Sequence, residues 1–168
     1  MSTNPPRRPA GPPPRRRPDV DAIDRAILAV LARDGRISNV ALADEVGLAE
    51  TTCAARMRSL RERGVLSGVH AEVDLARLGL PVQAFVAVRL AGHDRGQVLG
   101  FGDDVAGLPG VLATYNVSGA DDYFVHVASA SPEALRDFVL DNLSTRPGVT
   151  HVETRLIFSG TTGRRVLS

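Results

Sequence analysis

The chain has 168 residues, 43% of them hydrophobic, 23% charged, and a formal net charge of +1, enough for one ordinary domain or two small ones with packed cores. No apolar run approaches the roughly 20 residues that cross a bilayer, and the N-terminus lacks the apolar core of a secretory signal, so the cytoplasm is the expected address. One cysteine, Cys53, excludes an intramolecular disulfide and a zinc site built chiefly of thiolates.

All 20 cationic side chains are arginine, which removes lysine-based covalent and phosphate-cradling chemistry. Residues 1–18, MSTNPPRRPAGPPPRRRP, hold five arginines, seven prolines and no acid, leaving 15 arginines against 19 acids in the rest of the chain. With so little to bury, this segment is expected to be a disordered basic tail, either simply solvated or adding nonspecific attraction to a polyanion.

From Asp21 the pattern turns helical. Ile23, Ile27, Val30 and Leu31 share one face, Asp21 can cap the start, and Gly35 can end the helix in a left-handed conformation. Ser38 is an N-cap candidate for a short helix carrying Leu42, Ala43 and Val46, closed by Gly47. After the turn Gly47, Leu48, Ala49, a longer helix runs from Glu50 to Arg63 and stops at Gly64.

A supporting helix, a short helix, a tight glycine turn and a longer helix make a helix-turn-helix unit. On its last helix, Cys53, Met57 and Leu60 face inward, while Thr51, Thr52, Ala55, Arg58 and Ser59 face outward and Arg56, Arg61 and Arg63 flank the apolar stripe. Small polar groups near the helix start suit base edges in a major groove, and the arginines suit phosphates, so double-stranded DNA is the expected partner.

Residues 65–81 read as a connecting strand, VLSGVHAEV, and a hinge. From Val82 the period becomes two, then come a helix at Gln97–Ala106 weakened by Gly100 and Gly102, a strand VLATYNVS, the GADD turn, a strand YFVHVAS, a helix opened by Ser131 and Pro132, and a last strand VTHVETRLIF. The order βαββαβ, with an internal echo of Leu108–Val111 in Arg146–Val149, predicts a ferredoxin-like antiparallel sheet with both helices on one face. The other face needs a cover, and a second subunit is the expected one. The fold class is therefore α+β, divided into a tail at 1–18, a helix-turn-helix domain at 19–64, a connecting strand and hinge at 65–81, and a ferredoxin-like domain at 82–168.

The four histidines, His70, His93, His126 and His151, lack metal-ligand spacing, although His126 and His151 could meet across the sheet. Asp121 and Asp122 are adjacent on a turn, point in different directions and make poor paired catalytic acids. No enzyme site, metal or cofactor is expected.

DAIDRAILAVLARDGRIS, then LADEVGLAETTCAARMRSLRERGVLSGVHAEVD and RLG, and finally SGADDY with Gly119, Asp122 and Tyr123, resemble the Lrp/AsnC (leucine-responsive/asparagine-type, feast/famine) transcription regulators from about Asp19 onward. The resemblance implies a winged helix-turn-helix domain joined to a ferredoxin-like, RAM-type domain that dimerises, assembles further to an oligomer such as an octamer, and binds an amino acid or related metabolite. By that analogy Thr51, Thr52, Ala55 and Arg56 face DNA and Arg58 and Arg61 lie near phosphates. The periodicity instead leaves Arg56 at the border of the core, where it can brace the helix.

For a small amino-acid effector, Asp122 offers an acceptor for the ammonium and backbone N–H groups around Gly119 offer donors to the carboxylate. The expected ligand residues are Ser118, Gly119, Ala120, Asp122 and Tyr123, with Tyr115 and Thr154 as neighbours and Asp121 facing water. Ala49, where the family commonly has serine, cannot cap the recognition helix. A ferredoxin-like half joined to a helix-turn-helix also resembles sirohaem decarboxylases; that enzyme reading is the alternative from another class.

Overall fold

The computed structural model describes residues 19–92 and 95–161, so the tail expected at 1–18 lies outside the described residues, as does His93. The chain divides into two compact units, with the boundary between Ala71 and Glu72.

The first unit is helical: α1 spans Ala22–Arg33, α2 Asn39–Glu45 and α3 Glu50–Glu62. Asp21 caps α1 by accepting from the Asp24 N–H at 2.7 Å, and Ser38 caps α2 by accepting from the Ala41 N–H at 3.2 Å. Ala49 stands at the N-cap of α3 without a side-chain bond, as its methyl requires. Gly47 and Gly64 both take φ of +68° after α2 and α3, the left-handed turn that stops a helix. Ile27, Val30, Leu31, Leu42, Cys53, Met57 and Leu60 form the core.

Three expectations in this unit are corrected. Ile23 is 37% exposed, and its place in the interior is taken by Asp24 at 3%. Gly35 does not end α1 in a left-handed conformation; Asp34, with φ of −134°, closes the helix. A Cβ at 35 would stand 2.3 Å from Val69 Cγ1, so any other residue there displaces the Val69 side chain. Residues 65–73 form no strand, because a strand exists only in a ladder and no described segment pairs with this one; Val69 and Val73 stay about half exposed.

In the second unit β1 (Val82–Leu90), α4 (Arg95–Ala106), β2 (Val111–Asn116), β3 (Tyr123–Ser129), α5 (Pro132–Val139) continued by a π-helical turn at Leu140–Ser144, and β4 (Val149–Leu156) realise the βαββαβ order. The sheet runs β2-β3-β1-β4, every pair antiparallel. Ala84, Val86 and Val88 of β1 and Tyr123, Val125 and Val127 of β3 alternate into a core closed by Phe101 and Val105 of α4 and Leu135, Val139 and Leu143 beyond.

The internal echo is a structural repeat. Val111 N–H donates to the Leu108 carbonyl at 3.2 Å and Val149 N–H to the Arg146 carbonyl at 3.1 Å, while Gly110 and Gly148 have φ of +84° and +85°. Proline followed by a left-handed glycine, closed by that bond, is a type II turn, used twice to re-enter the sheet.

Candidate functional site

The recognition helix is fixed to its supporting helix by charge. Arg56 Nη1 donates to Asp21 Oδ2 at 2.7 Å and to Asp24 Oδ1 at 2.9 Å, and Arg63 Nη2 donates to Asp24 Oδ2 at 2.7 Å. Asp24, its side chain only 4% exposed, thus has both oxygens bound to guanidinium groups of α3, which a buried carboxylate needs. Asp21 has its carboxyl held below the ordinary range, first by the Asp24 backbone N–H and then by Arg56. Arg56, which the family resemblance sets among the DNA-facing residues, is engaged by Asp21 and Asp24 at the first helix.

Thr51, Thr52, Ala55, Arg58 and Arg61 are all exposed on α3, with Thr52 one turn before Arg56 on the same side and Arg58 and Arg61 away from it, while Ser59 is half-buried. Arg58 and Arg61 make no ion pair among the described residues, so their charge is presented to solvent. Hydroxyls near the start of the helix and two arginines about two to three turns further on give it the functional groups that read base edges and hold phosphates.

The seven expected ligand residues do not form one cluster. Ser118, Gly119 and Ala120 are exposed in the β2–β3 loop, where Gly119 has φ of +128°. Asp122 is built into the sheet end: its Oδ2 accepts from the Leu90 N–H at 2.8 Å, its N–H donates to the Val88 carbonyl at 2.9 Å, and its own carbonyl accepts from Val117 N–H and Asn116 Nδ2, each at 3.0 Å. Tyr123, 3% exposed, turns into the helix-side core with its ring 5.1 Å from Phe101; burial, and next the charge of Asp103, push its phenol pKa upward. Tyr115 pairs with Phe124 on the open face of the sheet. Thr154 lies on the helix side, lining with Pro132, Leu135, Val139 and Leu156 a groove of about 360 Å³ against α5.

Asp121 does not face water. Its side chain is 12% exposed, with Arg89 Nε 3.4 Å from Oδ1 and Arg155 Nη2 4.0 Å from Oδ2. Arg155 also pairs with Glu153 at 2.9 Å and stands 5.5 Å over the Phe124 ring. Phe85 stacks on His126 with centroids 4.8 Å apart and meets Phe124 edge-on at 6.4 Å. The open face is therefore aromatic and ionic together. His126 bonds to Gln83 at 3.1 Å, and burial lowers its pKa. It does not meet His151: His126 pairs with Phe85 on β3's side of β1 and His151 with Arg89 on β4's side, four residues further along the strand.

Sequence reasoning missed Asp24 and Asp121. The first had a signal, an acid three residues before Ile27 on the apolar stripe of α1, where only cationic partners on a packed neighbour make a charge tolerable. The second had none, because its arginines arrive from β1 and β4, more than 30 residues away on either side.

The AsnC-type helix-turn-helix domain is matched at residues 20–61 and the Lrp/AsnC ligand binding domain at residues 83–167. The chain is 41% identical to the HTH-type transcriptional regulator AldR of Mycolicibacterium smegmatis over 89% of this chain and 88% of that one. Among solved structures, it superposes on that of MtbAldR with a TM-score of 0.79 and 35% identity, covering 89% of this chain and 99% of the other. With the Neisseria meningitidis transcriptional regulator NMB0573 in its L-Met complex, the TM-score is 0.78 at 27% identity, over 86% and 94% of the two chains. These relatives are named as regulators, which gives no support to the decarboxylase alternative. The chain belongs to the Lrp/AsnC family of helix-turn-helix transcription regulators.

Proposed function

We propose that this regulator reads a specific DNA sequence through Thr51, Thr52 and Ala55, holds the flanking phosphates with Arg58 and Arg61, and changes its DNA affinity on binding a small amino acid. The observation that carries the reading is the division of labour on α3: Arg56 and the adjoining Arg63 are locked to α1 through Asp24, while Thr51, Thr52, Ala55, Arg58 and Arg61 are exposed and the two arginines have no ion-pair partner among the described residues. Arg56 acts as a positioning residue.

In this reading the effector is held at the Ser118–Ala120 loop, with backbone N–H groups around Gly119 toward its carboxylate and Asp122 toward its ammonium. Tyr123 shapes the loop from within the core, and Tyr115 and Thr154 mark the two sheet faces beside it. The L-Met complex of the Neisseria relative supports an amino acid as the class of ligand. A second copy covers the open sheet face, where Phe85 and Tyr115 are 36% and 50% exposed, and dimers assemble further in the cytoplasm. Pairing also gives two recognition helices for two half-sites. The effector acts only through a difference in its affinity for the assemblies, of the order of 1 to 3 kcal/mol.

The test is fluorescence anisotropy on DNA from upstream of the protein's own gene, repeated with each of the twenty amino acids. Preference for that DNA over a scrambled duplex, altered at least about fivefold by one amino acid, is expected. Equal binding of both duplexes overturns the regulator reading at that target; preference insensitive to all twenty overturns the effector.

A further inference from the structure

We propose that the rim of the sheet is a second self-contact: β4 of one copy pairs antiparallel with β4 of another about a two-fold axis through Thr154, joining two four-stranded sheets into one. This rim contact rests on the assembly reading above and adds to it a surface that the open-face pairing does not use. Two isologous contacts on different surfaces carry an assembly past the dimer.

The sheet has two edges, β2 and β4. In β2, six residues long, the register breaks between Val111 and Ala113, the kind of irregularity that blunts an edge. From His151 to Leu156 the β4 edge has no proline, and its pairing with β1 is unbroken. The Ile157 N–H donates to the Gln83 carbonyl at 2.9 Å. Alternation from that bond turns the backbone groups of His151, Glu153 and Arg155 toward β1 and those of Val152, Thr154 and Leu156 outward, where they have no ladder partner among the described residues. α5 lies over β3 and β1, so the groove of about 360 Å³ beside β4 stays open. At its rim Leu140 is 51% and Leu156 46% exposed. A free ladder and apolar side chains together are what an added strand covers.

The charges on β4 select the partner and the register. A two-fold pair centred on Glu153 sets two carboxylates opposite each other, and one centred on Arg155 sets two guanidinium groups together. Centring on Val152 or Leu156 places Arg155 opposite Val149 or Ile157. Centred on Thr154, the pair sets Val152 opposite Leu156 of the second copy and Glu153 opposite its Arg155, twice by symmetry. Glu153 and Arg155 are then a non-hydrogen-bonded pair, the closer kind, with Cα atoms about 4.5 Å apart. Within one strand they already pair at 2.9 Å, so four charges of alternating sign meet at the axis. Like charges oppose the slipped registers, and the strand is complementary to itself in this one.

The experiment compares Thr154→Cys and Thr150→Cys in the full chain under mild oxidation, beside sedimentation velocity of the unaltered protein. The native Cys53 is buried. Across the axis the two Cα atoms at 154 stand about 5.5 Å apart, within disulfide range, whereas those at 150 stand about 25 Å apart. Thr154→Cys should become a covalent dimer and Thr150→Cys should not. Thr154 faces the helix side, so the open-face contact cannot bring these sulfurs together. Equal cross-linking at both positions, or at neither, overturns the rim contact. Adding Glu153→Arg to Thr154→Cys sets arginine against arginine and should remove the cross-link; an undiminished one overturns the charge-selected register. The unaltered chain should sediment as more than a dimer. A dimer without the 154 cross-link overturns the rim and leaves the open-face reading standing. No species larger than a dimer, with the 154 cross-link formed, keeps the rim and removes the open-face reading.

Discussion

Asp24 of the first helix receives Arg56 of the recognition helix at 2.9 Å, and almost no water reaches the carboxylate. The same acid receives Arg63, seven residues or two turns later, at 2.7 Å. A buried acid here fixes the rotation of α3 about its own axis, which decides which residues face outward. Replacing Asp24 with alanine leaves two guanidinium groups facing an apolar void. Hydrogen bonds to charged groups contribute about 1.5 to 3 kcal/mol each in buried settings, and the arginines are one-third exposed, so a loss of about 2 kcal/mol is expected. Calorimetry should show melting lowered by at least about 5 °C; an unchanged melting temperature would show that the network contributes nothing.

Gly102 sits in the middle of α4, where glycine ordinarily weakens a helix. The sequence showed the weakness and not its reason. A Cβ at 102 would stand 2.9 Å from Tyr123 Cε1 and 3.0 Å from its hydroxyl. Gly102→Ala should therefore destabilise the second unit by about 1 to 3 kcal/mol, through overpacking that exceeds any gain in helix propensity. Urea unfolding measures it, and a more stable variant would mean that the Tyr123 ring moves aside freely.

Asp122 has two roles to separate. Its Oδ2 anchors the Leu90 N–H, so Asp122→Ala removes a sheet-end hydrogen bond along with the charge. Asp122→Asn keeps an acceptor at that position. The amide variant should melt within about 2 °C of the parent while losing the amino-acid response, and the alanine variant should in addition lose about 1 kcal/mol of stability. An amide variant that responds fully would remove the Asp122 charge from the effector site.

His126 makes the second unit sensitive to mild acid. Burial lowers its folded pKa below the ordinary value of 6.5, so the unfolded chain binds a proton more readily than the folded one. Its contribution to stability is complete above the unfolded pKa and lost as pH falls through the folded one. Melting temperature should therefore drop between about pH 7.5 and 5.5, a range in which Glu153, its carboxyl held below the usual range by Arg155, stays charged. His126→Gln should flatten that dependence; an equal drop in the variant would place the sensitivity elsewhere.

The α+β class and most elements were legible because periodicity and punctuation agreed: Asp21, Ser38 and Ser131 cap helices, Gly47 and Gly64 stop them, and YFVHVAS alternates over the length of β3. Local signals failed where a distant partner decides. The burial of Asp24 depends on two arginines that α3 and its cap bring from more than 30 residues away, and Asp121 is enclosed by strands far away in sequence. Residues 65–73 alternate like a strand, and alternation cannot show whether anything is there to pair. The ligand residues were chosen by motif, yet consecutive residues of a strand point to opposite faces, which sends Tyr123 into the core and leaves Tyr115 on the open side.

The central claim is that the outward face of α3 reads base sequence. Its most direct test is the ratio of affinities for the upstream DNA and a scrambled duplex, measured for the parent and for the double variant Thr51→Ala, Thr52→Ala. Both residues are exposed and outside the Asp24 network, so the fold should hold. Loss of base contacts worth about 1 to 3 kcal/mol should lower the ratio at least about tenfold, with scrambled-duplex affinity unchanged. A ratio equal to that of the parent would contradict the account.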